Sequence, residues 1–309
     1  MNTIDYKNIE AVFSELEPFG AKCNVPLSEH TSFRIGGPAD IFMIPRNEEE
    51  LFRALECAEK YALPVFVMGN GSNLLISDSG IRGLVIKIRS QEADISINSE
   101  TKIMTASASA LLSVAVKKSV DAGFSGLEWA AGIPGTVGGA VSMNAGAYGS
   151  EIKNTLRSVR AVVKTDNKYE IADIAVKDSD LGYRYSRFSY PDMIVLSATF
   201  ELSSGDGTEK MRMDDYTKRR ASKQPLSYPS AGSVFKRPDG FFAGKLIEDA
   251  GLKGVSVGGA KVSELHAGFI INTGGAKASD VVRLIEIIKK AVFESSGVML
   301  EEELKLIGG

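Results

Sequence analysis

The sequence predicts an α+β protein built of more than one domain. Three observations carry that expectation. The chain has 309 residues, and one hydrophobic core rarely grows to that size, so two or three domains are expected. Helix-period and strand-period segments alternate over the first part, and strands then dominate the middle. A turn-rich break, Ser203-Ser204-Gly205-Asp206-Gly207, sets off a last region that ends in a strong helix and a closing strand.

In chain order, Asn47 reads as a helix N-cap with Glu50 placed for a capping box. Leu51, Leu55, Ala58 and Ala62 follow at helical spacing, and Pro64 ends the helix. Val65 to Met68 is a short buried strand leading into the loop Gly69-Asn70-Gly71-Ser72-Asn73, and Leu84 to Ile88 is another strand. A helix is expected from Ser109 through Leu112, Ala115, Val116 and Val120 to Gly123. A glycine-rich stretch runs from Gly132 to Gly149, and strands cover Arg160 to Val163 and Ile194 to Leu202. A polar, basic stretch continues to Lys223. The helix Val281 to Phe293 is expected to be capped by Ser279 and stopped by Gly297, and the last strand spans Leu300 to Ile307. Glu301, Glu303, Lys305 and Ile307 then share one face of that strand, with Leu304 and Leu306 on the other.

Composition excludes several classes. Hydrophobic residues at 44% and charged residues at 24% are ordinary for a globular chain. A net charge of −3 argues against a broad nucleic-acid surface. Two cysteines, Cys23 and Cys57, and two histidines, His30 and His266, are too few for a metal framework, so no metal is expected. No basic region followed by an apolar run occurs at Met1 to Asp5, and no apolar stretch is long enough to span a bilayer. A cytoplasmic location without membrane association is the expectation.

The loop Gly69 to Asn73 offers backbone N–H groups that can converge on a phosphate, and it reads equally well as a polar turn. It lacks the Gly-Lys-Ser/Thr ending of a Walker loop and the spacing of a dinucleotide fingerprint. Gly132, Pro134, Gly135, Gly138, Asn144 and Gly146 belong to a second glycine-rich loop, suited either to close approach of a flat ligand or to tight packing on neighbouring strands. Arg184 lies between Tyr183 and Tyr185, an arrangement that can present a guanidinium to a carboxylate or merely expose it on a strand. Ser233, in Ala231-Gly232-Ser233-Val234-Phe235-Lys236, is not in a G-x-S-x-G elbow and reads by itself as a turn serine. His266, the only histidine in the last region, reads as structural.

Taken in order, these segments resemble the UDP-N-acetylenolpyruvoylglucosamine reductase family, known as MurB. The matching pieces are Thr31-Ser32-Phe33-Arg34-Ile35-Gly36-Gly37, Gly69 to Leu75, Ala131-Gly132-Ile133-Pro134-Gly135, Asn144-Ala145-Gly146-Ala147-Tyr148-Gly149, Tyr183-Arg184-Tyr185-Ser186, Gly232 to Lys236, and Leu300 to Gly308. Each motif alone is weak, and the ordered set is specific. The resemblance implies an FAD-binding domain of vanillyl-alcohol-oxidase type made of two α/β subdomains, 1–88 and 89–204, with a C-terminal α/β substrate domain, 205–309.

It further implies non-covalent FAD, NADPH as reductant, and UDP-N-acetylglucosamine-enolpyruvate as the substrate reduced in peptidoglycan precursor synthesis, with no obligate protein partner. Carried over by motif, Arg184 and Glu303 stabilise the charge that develops on the substrate, and Ser233 gives the proton. Arg34, Gly69, Asn70, Gly71, Ser72, Asn73, Gly132, Pro134, Gly135, Gly138, Asn144 and Gly146 bind the cofactor, and Tyr148, Tyr183 and Lys223 contact substrate. The chain resembles the branch that lacks an inserted tyrosine-bearing loop after Tyr185-Ser186, and it carries Arg237 where many members carry Asn. Competing readings are a flavin-dependent oxidase of the same fold, a flavin-free nucleotide-sugar transferase, and a non-catalytic nucleotide-binding module.

Overall fold

The structure, a computed structural model, describes residues 6–89, 94–165, 168–189, 191 and 193–308. The expectation about Met1 to Asp5 lies outside the described residues. Two compact units form. One comprises Met1–Lys22, Ile41–Asn70 and Gly83–Arg219, and the other Cys23–Asp40, Gly71–Arg82 and Arg220–Gly309. Neither is contiguous, so they differ from the segments 1–88, 89–204 and 205–309. Two sets of contacts explain the difference. Ser203–Ser204 pairs antiparallel with Phe124–Ser125, and Arg212 binds Glu128 at 2.6 Å and Asp206 at 2.9 Å, so the turn-rich break stays with the first unit. Leu74–Ile76 pairs in parallel with Lys305–Ile307, which draws residues 71–82 to the C-terminal part.

The first unit has two cores. Helices α1 (Tyr6–Leu16) and α2 (Glu48–Lys60) bury Val12, Leu16, Leu51, Leu55 and Ala58 against Leu84 and Ile86. Asn47 caps α2 as expected, its side chain accepting from the Glu50 N–H at 2.9 Å. The Glu50 carboxylate does not close a capping box; it turns to the N–H and Nε of Arg46, at 2.8 and 2.7 Å. Strand Val65–Met68 pairs in parallel with Ile81–Lys87.

The second core lies on a five-stranded antiparallel sheet in the order Lys168–Ala175, Leu156–Thr165, Met193–Glu201, Ile103–Ser107, Ile95–Asn98. A register shift opposite Arg160 and Ala161 skips Leu196. The inward parity therefore changes along one strand, from Val195 to Ala198 and Phe200, and all three stay in this core. Helix α3 (Leu112–Asp121) covers the sheet with Leu112, Ala115 and Val116. It starts three residues later than Ser109, because the Ser109 hydroxyl meets that of Ser107 at 2.9 Å and Leu111 stays extended, bridged to Thr136. Within the glycine-rich stretch a short helix, α4 (Val137–Ser142), is capped by Thr136, whose Oγ1 accepts from Gly139 at 3.2 Å. The polar stretch before Lys223 is also helical, α5 (Glu209–Lys223). It has little apolar face, and ion pairs such as Arg219–Asp215 at 2.7 Å and Arg212–Glu128 stand in for one.

The second unit contains α6 (Ala243–Asp249), α7 (Ala278–Ser296) and a three-stranded sheet, Ser256–Val257, Ala260–Val262 and Ile270–Asn272. Val281, Leu284, Ile288 and Val292 recur at helical spacing and are fully or almost fully buried with Val262, Ile270 and Leu304. Burying each such side chain contributes about 1.5–3 kcal/mol. Gly297 closes α7 at φ 71°, its N–H donating to Phe293 at 2.8 Å. The start differs from expectation. Ser279 lies inside the helix, and the first N–H groups, of Ala278 and Ser279, are held by the Asp78 carboxylate at 2.7 and 3.0 Å. The last strand is only Lys305–Ile307, and Leu306 is exposed while Leu304 is buried. The two leucines therefore do not share a buried face, because regular pairing begins after Leu304. None of the described helices is long and apolar enough to cross a membrane.

Candidate active site

In the second unit, the chemistry gathers around one peptide. Val234 is buried, and its N–H donates to Gly268 at 2.9 Å. Its carbonyl accepts from Glu303 at 2.8 Å and from Leu304 at 3.3 Å. Ser233 is bridged to Phe269 and Phe235 to Glu302. Ser233 and Glu303, both half-buried, are thus fixed to the same backbone segment although the sequence separates them widely. The acidic neighbours do not act as a bare cluster. Glu301 pairs with Lys236 at 3.1 Å and Glu302 with Lys289 at 2.9 Å, so the charge these two glutamates place beside Glu303 is offset.

The loop Gly71 to Asn73 joins this framework. Gly71, at φ 61°, has its carbonyl held by the Ser32 N–H at 3.4 Å, and the Asn73 carbonyl accepts from Lys305 at 3.0 Å. Carbonyls turned into the protein are what a loop needs if its N–H groups are to serve an anion. The segment carrying Arg34 is fastened nearby: the Ser32 hydroxyl donates to Ser230 at 2.7 Å, and the Asn272 amide donates to the carbonyls of Phe33 at 3.1 Å and Arg34 at 3.4 Å. Arg34 itself is exposed. Lys223, the last residue of α5, is also exposed.

In the first unit, the two glycine-rich loops approach each other. A Cβ on Gly69 would lie 2.7 Å from Thr136 Oγ1, so a larger residue there would displace the cap of α4. The N–H of Leu112 donates to Gly135 at 3.0 Å and that of Gly138 to Ala108 at 3.0 Å, which seats the segment on the sheet. Asn144 is fully buried; its Nδ2 donates to Gly182 at 2.8 Å and to Glu151 at 3.0 Å, and its Oδ1 accepts from Lys153. The side chain braces the loop against the hairpin that presents Arg184. In that hairpin Leu181 pairs with Ser186 and Gly182 with Tyr185, leaving Tyr183 and Arg184 as the turn. Arg184 Nη2 donates to the Gly146 carbonyl at 3.1 Å, and the guanidinium lies 5.0 Å from the Tyr183 ring centre. Tyr148 packs at 4.7 Å on Tyr216 of α5 and donates to its carbonyl at 3.3 Å.

Arg34, Asn144, Tyr148 and Arg184 all have left-handed backbones, with φ of 54°, 46°, 55° and 54°. Each such residue costs of order 1–3 kcal/mol and persists only where its surroundings dictate it. Three of the four lie in the adjoining loops of the first unit. His266 behaves as a structural residue: its Nδ1 accepts from Gly268 at 3.1 Å, and its ring packs edge-on to Phe269. Burial holds it below the ordinary histidine range. Thr136, Asn272, Glu151 and Tyr216 were not identified from sequence. Only Thr136 carried a signal, a threonine ahead of a helix start inside an already noted segment. Among the described residues no group of three or more His, Cys, Asp or Glu is placed to hold a metal.

Comparison with known proteins supplies the rest. An FAD-binding-domain model matches residues 39–169, spanning both glycine-rich loops. Together with the fold, this defines an FAD-binding oxidoreductase carrying a C-terminal α/β domain. That last part, residues 224–307, matches the C-terminal domain of UDP-N-acetylenolpyruvoylglucosamine reductase. The chain is 47% identical to the reductase of that name from Clostridioides difficile (strain 630), covering 100% of this chain and 99% of the relative. It is 48% identical to that of Caldanaerobacter subterraneus subsp. tengcongensis, covering 92% and 93%. The crystal structure of the reductase from Thermus caldophilus superposes with a TM-score of 0.77 at 34% identity, over 92% of this chain and 98% of that one. The chain belongs to the UDP-N-acetylenolpyruvoylglucosamine reductase family.

Proposed function

We propose that Arg184, Ser233 and Glu303 manage the charge and the proton in the reaction this chain catalyses, the NADPH-dependent, FAD-mediated reduction of UDP-N-acetylglucosamine-enolpyruvate to UDP-N-acetylmuramate. When bound, FAD would supply the hydride chemistry that links NADPH to the enolpyruvyl carbon. The protein handles the consequence, an enolate beside a carboxylate. Arg184 offers a fixed cation to that developing charge. Its hydrogen bond to Gly146 and its left-handed backbone support the reading, since both help hold the guanidinium in place. The Ser233 hydroxyl gives its proton to the substrate α-carbon. A serine is a poor acid in water and a competent one beside a much stronger base. Glu303 assists as a protonated carboxyl or through water.

The observation that carries the assignment is the Val234 peptide, which joins the segments bearing Ser233 and Glu303. Cofactor binding falls to Arg34, Gly69 to Ser72, Gly132, Pro134, Gly135, Gly138, Asn144 and Gly146, the last two as braces of their loop; Asn73, expected in the same set, turns its side chain to the Glu303 backbone instead. Tyr148, Tyr183 and Lys223 contact substrate. In this reading residues 1–88 and 89–204 serve as FAD-binding subdomains and 205–309 as the substrate domain. The chain works in the cytoplasm without a membrane, nucleic acid or obligate protein partner, and it serves cell-wall biogenesis and with it cell shape, division and the cell cycle. The buried Cys57 thiol, pushed up to about 11 first by burial and then by Glu15, stays protonated and unreactive.

NADPH oxidation by the purified chain tests the reaction. It should proceed when the enolpyruvyl nucleotide is added and stall without it. Equal consumption with dioxygen alone would favour the oxidase reading, and a protein that takes up no flavin would favour the transferase.

A further inference from the structure

We propose that Asn73 is a positioning residue for Glu303, acting through the backbone rather than on the cofactor; this rests on the reading of Glu303 as a charge-managing group. The Asn73 Nδ2 donates to the Glu303 carbonyl at 3.1 Å, across 230 residues of chain. The carbonyl of the same asparagine accepts from the Lys305 N–H at 3.0 Å. One residue therefore brackets the peptide groups on either side of Leu304.

The position of Glu303 makes that bracket consequential. Its N–H is already committed to Val234 at 2.8 Å. Regular pairing with the neighbouring strand begins only at Lys305, opposite Leu74, so no strand ladder takes up the Glu303 carbonyl. The asparagine amide does so instead. With the N–H fixed on one side and the C=O on the other, both peptide planes flanking the Glu303 Cα are set, and with them the direction of its Cα–Cβ bond. The side chain then starts from a defined origin toward the substrate.

The residue type follows from the geometry. The carbonyl needs a donor, and the asparagine amide supplies one at this reach. Aspartate, of the same shape, would set acceptor against acceptor. Serine would fall short, and alanine would leave the carbonyl without this donor.

The test uses the FAD-loaded enzyme with Asn73→Ala, Asn73→Asp, Glu303→Ala and the Asn73→Ala/Glu303→Ala double variant. Rapid-reaction traces separate flavin reduction by NADPH from reoxidation by the enolpyruvyl nucleotide, and flavin-fluorescence titration of the apoprotein reads FAD affinity. Asn73→Ala should slow reoxidation on the order of ten- to a hundredfold, as a modest displacement of a catalytic group does. Flavin reduction and FAD affinity should hold at wild-type values, with Asn73→Asp at least as slow as Asn73→Ala. In the Glu303→Ala background the second substitution should add nothing, because the two act as one unit.

A loss of FAD affinity with both half-reactions slowed alike would overturn the proposal and make Asn73 a cofactor contact. An equal further loss in the Glu303→Ala background would overturn it as well. Normal reoxidation by Asn73→Ala beside a slow Glu303→Ala would sink this proposal and leave the role of Glu303 standing. Normal reoxidation by Glu303→Ala would sink both. If neither Asn73 variant folds, by thermal melting, the residue is a structural strut and the proposal fails.

Discussion

Glu303 donates its backbone N–H to the carbonyl of Val234 at 2.8 Å, and Val234 is the residue next to Ser233. A hydroxyl and a carboxyl carried by distant parts of the sequence are thereby tied to one backbone segment, centred on the buried Val234. Rigid support matters because the chemistry tolerates little displacement.

Replacing Ser233 with alanine should leave flavin reduction by NADPH near normal. Reoxidation by the enolpyruvyl nucleotide should fall on the order of a hundred- to ten-thousand-fold, the usual cost of a lost positioned acid. Stopped-flow absorbance of the flavin reads both steps. Equal slowing of the two would assign Ser233 a structural or shared binding role.

Glu303→Gln keeps the shape and a donor, whereas Glu303→Ala removes the group. The alanine variant should reoxidise more slowly than the glutamine variant, and both should melt near the wild-type temperature, since Glu303 is only half-buried. Wild-type reoxidation in both would return Glu303 to a solvated strand edge.

Gly146→Ala should weaken Arg184. A Cβ there would lie 2.8 Å from the Ser150 carbonyl and 3.2 Å from Arg184 Nη1, so the loop or the guanidinium must shift. Reoxidation should slow on the order of tenfold. An unchanged rate would show that the Gly146 contact does not place Arg184.

Asp78 should support the second unit in a pH-dependent way. Partial desolvation raises the pKa of its carboxyl, but the N–H of Ser279, the Ser279 hydroxyl, the N–H of Ala278 and the charge of Lys277 together bring it below the ordinary value. A depressed folded-state pKa contributes stability that is present above the unfolded value and is lost as pH falls through the folded one. Asp78→Ala should therefore cost about 1 kcal/mol at neutral pH, as loss of a helix cap does. In thermal melts the gap from wild type should narrow on acidification below the ordinary aspartate range. A gap that stays constant to low pH would show that the carboxylate charge plays no part.

Acid precipitation should release FAD into the supernatant, in keeping with non-covalent binding. Flavin that stays in the pellet would point to a covalent link.

Much of the fold was legible because its causes are local. Helix α7 follows from the spacing of Val281, Leu284, Ile288 and Val292 with Gly297 past its end, and the cap of α2 from Asn47. The candidate site was legible as a series of motifs, each ambiguous alone and specific only in order. Helix α5 was not, because its polar sequence shows no apolar stripe and its support is ionic, from Arg212 to a glutamate far back in the chain.

By itself, then, the sequence determined element types, the motif order and the family they imply, since periodicity and capping act between near neighbours. The tertiary structure decided which distant groups complete one another: Asp78 capping α7 across 200 residues, Asn73 holding the Glu303 carbonyl across 230, and residues 71–82 grouping with the C-terminal part. Such closures leave no periodic trace in the chain, because a hydrogen bond between remote segments depends on where the intervening fold delivers them.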